Sequence, residues 1–152
     1  MTVYVVFGSG AVGKALFLAL FERADAIDLV GHSRIADEAI EQIRREKPEL
    51  VIVEEILTHG WGMDIVQSLA DRNGTPGVVM ISTMPPPRTR REYVSQGIDL
   101  WLQLPQDFEQ LQWTLLQLTT REPGAAIAAW RRKLDHEGSG QENSQGEGRS
   151  EE

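Results

Sequence analysis

Pro48-Glu49-Leu50-Val51-Ile52-Val53-Glu54 decides the fold, because four uninterrupted aliphatic residues run from a proline straight into a carboxylate. An apolar run without alternation marks a strand covered on both faces, and therefore an interior strand of a parallel sheet. Glu54 then stands at the carboxyl end of that strand, the edge where open α/β sheets place their ligand crevices.

Outward from this segment, strand signals recur at Val3 to Phe7, Ile27 to Gly31, Gly77 to Ile81 and Asp99 to Leu102. Each is followed by helical spacing, which gives five β/α units. The first helix turns Val12, Leu16, Ala19 and Leu20 to the sheet; the second turns Ala36, Ala39, Ile40 and Ile43 inward and stops before Pro48. The third runs from about Met63 to Arg72 and ends at the turn dipeptide Asn73-Gly74. Thr89 and Glu92 spell a capping box for the fourth, after Pro85-Pro86-Pro87, and Asp107 and Gln110 give a similar signal for the fifth. Beyond Pro123-Gly124, residues 125–134 have the spacing of one more short helix, with Ile127, Trp130 and Leu134 on one side. Residues 138–152 hold no large apolar side chain to offset ordering entropy and are expected to be disordered.

The chain has 152 residues, room for one domain of ordinary size and a tail. A net charge of -8 argues against a nucleic-acid groove, which needs clustered Lys and Arg. The absence of cysteine excludes a disulfide framework, a zinc-thiolate site and a thiol nucleophile. Met1-Thr2-Val3-Tyr4 enters a strand without a basic leader, and no apolar run approaches a membrane span, so a cytoplasmic protein is expected.

From about Val3 to Leu118 the order of these segments resembles the receiver domain of bacterial response regulators. Ile27-Asp28-Leu29-Val30-Gly31, Glu38-Ala39-Ile40 and Pro48 to Glu54 follow that family's order of strand, helix and phosphoacceptor strand. Met80-Ile81-Ser82-Thr83 resembles the strand ending in the switch hydroxyl. Gly97 to Pro105 is similar to the segment that carries the switch aromatic, the pocket lysine and its proline. The resemblance implies a flavodoxin-like (CheY-like) doubly wound sheet of five parallel strands, order 2-1-3-4-5, over residues 1–121, with a linker and short helix at 122–137.

It also implies a dismantled pocket. Receiver chemistry needs an acidic pair for magnesium, an aspartate nucleophile, a hydroxyl and a lysine. Phe7 and Gly8 stand at the acidic pair, Glu54 at the nucleophile and Leu104 at the lysine; only Ser82 and the aromatic position, Trp101, fit. The implied protein is a pseudo-receiver, without phosphotransfer and without enzymatic activity. Glu54 is either a mimic of a phosphorylated aspartate or an inert, structural residue, and the missing lysine favours the second. Ser82 and Trp101 are equally a strand-end hydroxyl and a core aromatic, or a surviving switch. Such a domain would act on a protein partner through its fourth helix, fifth strand and fifth helix, with Arg88, Arg91, Tyr93 and Trp101 as contacts. The candidate partners are a histidine kinase, an output domain, another regulator or a second copy.

A competing motif is Gly8-Ser9-Gly10-Ala11-Val12-Gly13, a G-x-G-x-x-G run placed between a strand and a helix as dinucleotide binding requires. Its helix N-terminus favours an anion, and Arg34, after His32-Ser33, has the chemistry to pair with a 2′-phosphate. The alternative is thus an NADP- or phosphate-binding sensory module using Gly8, Gly10, Gly13 and Arg34; the other reading is a compact turn that binds nothing. His32, His59 and His136 lack metal-ligand spacing. Trp61, in the loop after the phosphoacceptor-like strand, is expected to cover the core rather than stand exposed.

Overall fold

The computed structural model describes residues 1–69, 76–122 and 124–137; the expected Asn73-Gly74 turn and the tail from 138 lie outside them, and the third helix, expected to run to about Arg72, ends at Ser68 with Leu69 as its cap. The elements follow in the order β1 (Thr2–Val6), α1 (Gly10–Phe21), β2 (Asp28–Ser33), α2 (Ala36–Glu46), β3 (Leu50–Glu54), α3 (Gly62–Ser68), β4 (Gly77–Ser82), α4 (Arg90–Ser95), β5 (Leu100–Gln103) and α5 (Phe108–Thr119). All neighbouring strands pair in parallel, in the order β2-β1-β3-β4-β5. The expected flavodoxin-like topology is therefore the observed one.

Alternation along β1 divides the core. Val3 and Val5 join a layer with Leu16, Leu20, Leu111, Leu115 and Leu118 of α1 and α5, while Tyr4 and Val6 join Ala39, Ile43, Ile65 and Val66 of α2 and α3. Every residue of the central strand β3 is buried, as its unbroken apolar run requires. Each aliphatic side chain so buried contributes roughly 1.5–3 kcal/mol.

Other expectations are corrected. β2 runs two residues past Gly31, so His32 and Ser33 are strand residues; as an edge strand it continues pairing after its apolar pattern ends. The α5 start is not a capping box: the Asp107 carboxylate accepts from the Gln103 amide instead of from its own helix. The Thr89–Glu92 box of α4, by contrast, forms in both directions. Trp61 is 58% exposed and stands outside the core, in a loop closed by an Ile56–Trp61 bridge.

The short helix expected beyond Pro123-Gly124 is present. Residues 126–137 form a helix docked on the domain, with Ala126 and Trp130 inside the α1/α5 layer. Arg131 grips the amino edge of the sheet: its Nε donates to Asp99 Oδ1 at 2.9 Å and its Nη2 to the Pro76 carbonyl at 2.7 Å. Asp99 also accepts from the Val78 amide through Oδ2, tying β4 to the turn before β5.

Tyr4 lies at the floor of the α2 layer, where its hydroxyl donates to Gln42 Oε1. Burial, with the Glu38 charge adding to it, pushes that hydroxyl up to about 12. An unfolded tyrosine ionises near pH 10, so the neutral form is favoured by folding, and the stability it contributes is complete below about pH 10 and lost as pH rises to about 12. Urea titrations at pH 9 and 11.5 should show an alkaline loss of about 2 kcal/mol that is missing in Tyr4→Phe.

Candidate functional site

Glu54 ends the central strand, and the topology brings the β1–α1 loop beside it. Its carboxylate is buried and turned into that loop. Oε1 accepts from the amides of Gly8 at 2.7 Å and Ser9 at 3.0 Å, and the Ser9 hydroxyl lies 3.5 Å from Oε2. Ser9 in turn caps α1, its Oγ accepting from the Val12 amide. The side chain of Glu54 thus occupies the positive end of α1, where amides and helix dipole both favour an anion. The partners of Glu54 are backbone groups, which reading side chains could not reveal. Ser9 alone left a signal, as a serine directly before a helical run.

The glycine motif divides into unequal parts. A Cβ on Gly8 would lie 2.2 Å from the Ile56 carbonyl oxygen and 2.8 Å from Leu57 Cα, so the β1–α1 and β3–α3 loops pack backbone to backbone here. A Cβ on Gly13 would meet the Phe7 ring at 2.6 Å, whereas one on Gly10 would meet nothing within 4 Å. Two of the three glycines are required by packing alone. Arg34 donates through Nη2 to the Gly8 carbonyl at 2.7 Å and lies over the Phe7 ring at 5.5 Å. Gly8 is held on both sides, its N–H by Glu54 and its C=O by Arg34.

The remaining pocket positions are spread along the same edge. Ser82 is buried, and its hydroxyl accepts from the Met84 amide at 3.1 Å in its own loop. Leu104 is buried in the α5 layer, before a cis bond to Pro105. Trp101 is half-buried, stacked on Tyr93 with ring centres 6.0 Å apart, and its indole N–H donates to Glu55 Oε2 at 3.4 Å. Among the described residues no three His, Asp or Glu side chains come together to hold a metal ion.

Of the expected partner contacts, Arg88 and Arg91 are exposed. Tyr93 is not a surface residue. It is 3% exposed, its hydroxyl is buried with no hydrogen-bond partner among the described residues, and burial first and the Glu55 charge second raise its pKa. The short α4 turns Tyr93 under itself onto Trp101, which leaves the arginines outside.

No protein-family model matches the sequence. Solved structures do. The REC domain of RcsB from Salmonella enterica serovar Typhimurium, in the presence of the phosphomimetic BeF3-, superposes with a TM-score of 0.67 at 12% identity, over 86% of this chain and 97% of that one. The response regulatory domain of mrkE from Klebsiella pneumoniae gives 0.69 at 15% identity, over 87% and 99%.

The chain has the receiver-domain fold. The response regulator domain of Thermotoga maritima CheB extends the agreement, with a TM-score of 0.64 at 20% identity over 81% of this chain and 98% of that one. Glu54 stands at the carboxyl end of the central strand and Gly8 in the β1–α1 loop. No helix among the described residues is long and apolar enough to cross a membrane.

Proposed function

We propose that this chain is a phosphorylation-independent, non-enzymatic receiver-like signalling domain that acts by contact with another protein in the cytoplasm. One observation carries the reading: the carboxylate at the phosphoacceptor position is already the ligand of the Gly8 and Ser9 amides. Glu54 is held as a fixed internal anion, and Gly8, at the position of a magnesium-binding acid, has no space for a side chain. With Leu104 in place of a lysine, the cation with which a receiver balances an added phosphoryl group is missing from its position. The interaction partner is a kinase, an output domain, another regulator or a second copy.

The dinucleotide alternative draws on the same loop, but a pyrophosphate would have to displace Glu54 from the two amides, and Arg34 from Gly8. The experiment treats both readings together. The protein is incubated with acetyl phosphate and magnesium and followed by intact mass, and its thermal unfolding is measured with and without NADPH. No added phosphoryl mass and an unchanged midpoint are expected. A saturating ligand at about 100 times its dissociation constant would add roughly 2.7 kcal/mol, a shift of several degrees. Phosphoryl mass lost in Glu54→Ala would overturn the proposal. An NADPH shift lost in Arg34→Ala would replace it with the sensory module.

A further inference from the structure

We propose that the outer face of α1 is the seat of a symmetric dimer, in which a second copy of this chain packs its own α1 antiparallel against it. The proposal rests on the protein-contact reading above and assigns it a surface and an occupant. A surface helix ordinarily keeps its apolar residues on one stripe and its charges on the other side. Helix α2 does so, with Asp37, Glu38, Glu41, Arg44, Arg45 and Glu46 exposed. Helix α1 does not. From Gly10 to Phe21 its one charged side chain is Lys14, and Leu18 and Phe21 stand 55% and 79% exposed.

A helix apolar on all sides is one that something covers. Its inner stripe, Val12, Leu16, Ala19 and Leu20, already lies in the core. Its flank is fixed as well: Phe17 meets Phe7 and His32 edge-on, each with ring centres 5.6 Å apart. The outer face is therefore a rigid platform on a helix that cannot roll inward. Residues 70–75 and 138–152 hold no large apolar side chain that could cover it. The cover comes from another molecule.

The order of residues on that face selects a second copy. Ala11, Lys14, Ala15, Leu18, Phe21 and Glu22 follow one another at three- and four-residue spacing, so they share one side of the helix. Two such helices lying antiparallel about Leu18 set each residue opposite the one equally far from Leu18 on the other side. Leu18 then meets its own copy, Phe21 lies over the small Ala15, and Lys14 stands opposite Glu22. Large meets small and positive meets negative, each twice, as a two-fold contact requires. The nearby charges leave this pairing open. Arg23 donates to Thr119 at 3.0 Å, Asp25 lies past the end of the helix, and Glu22 accepts from Gln112 at 2.8 Å while remaining exposed. One helix pair is small beside a standard interface of about 800 Å² per partner, so the association should be weak and reversible.

The test is sedimentation velocity of the full chain at low salt, from micromolar to near-millimolar concentration. A concentration-dependent equilibrium of monomer and dimer is expected, weakened at least tenfold in Phe21→Asp. Lys14→Glu and Glu22→Lys should each weaken it at least fivefold, because each sets like charges opposite one another. An equimolar mixture of these two variants should dimerise as the parent does, since each supplies the charge the other lacks. All three positions are exposed, so the fold tolerates the changes. Val94→Asp, at an exposed position on α4, should leave the equilibrium unchanged. A chain that stays monomeric throughout, a mixture no better than its components, or a dimer lost in Val94→Asp and kept in Phe21→Asp would overturn the α1 contact and leave the protein-contact reading in place. Phosphoryl uptake at Glu54 would instead remove the phosphorylation-independent reading and leave this dimer standing.

Discussion

Trp130→Ala should lower the unfolding free energy by about 3–5 kcal/mol, the range for truncating a fully buried large aromatic. Trp130 lies beyond the five-unit fold yet is only 2% exposed, packed in the same layer as Leu50, Leu102 and Leu118. A Cβ added to Gly77 would come 3.0 Å from its ring and 2.9 Å from Ile127, so the 126–137 helix lies directly on the backbone that begins β4. Such a site cannot collapse when the ring is removed, because the sheet on one side is continuous and the helix is held on the other by the Arg131 fork to Asp99. Arg131→Ala should cost less, about 1–3 kcal/mol, since both partners keep some contact with water and Asp99 retains the Val78 amide. Urea unfolding resolves the order. A Trp130→Ala midpoint equal to that of the parent would show the helix to be dispensable, and a chain ending at residue 121 would then fold unaided; the expected result is that such a chain exposes the α1/α5 layer and aggregates.

How much of this was legible follows from what each signal encodes. The unbroken apolar runs of β3 and β4 announce strands buried on both faces, so the central sheet reads directly from the residues. β2 reads short because an edge strand keeps its ladder while its outer face turns polar. The spacing of Ile127, Trp130 and Leu134 announces an amphipathic helix, but its seat is made by Gly77, Pro76 and Asp99, which only the folded topology brings together. The same limit governs the site. The position of Glu54 is fixed by the strand it ends, whereas its partners are main-chain amides of a loop distant in sequence. The motif glycines allow either a phosphate cradle or a compact turn, and Gly8 and Gly13 lie in close packing against Ile56, Leu57 and Phe7. A glycine pattern states where the backbone must approach something, and not what it approaches.

Glu54→Ala is expected to cost about 2–4 kcal/mol, because two part-buried amides at the start of α1 lose their acceptor together. Glu54→Gln keeps a carbonyl oxygen in place and should cost only about 1 kcal/mol, the difference between a charged and a neutral acceptor. Glu54→Asp, the residue a phosphoacceptor would need, is shorter by one methylene and should fall near the alanine variant. Gly8→Ala tests the same joint from the other side: its Cβ would meet the Ile56 carbonyl and Leu57 Cα, both main chain, so the loops must separate and the Glu54 bonds stretch with them. The two substitutions act on one nest, and their combined cost should be smaller than the sum of the single costs, by at least the 0.5 kcal/mol that marks coupled neighbours. Rebuilding a receiver pocket by Gly8→Asp, Glu54→Asp and Leu104→Lys should for the same reason give an unstable protein and no phosphoryl uptake. If Glu54→Ala left the urea midpoint unmoved, the carboxylate would not be the ligand of the loop, and a role for its charge at the surface would have to replace the fixed internal anion. If glutamine proved as costly as alanine, the negative charge at the end of α1, and not the acceptor alone, would be what the fold uses.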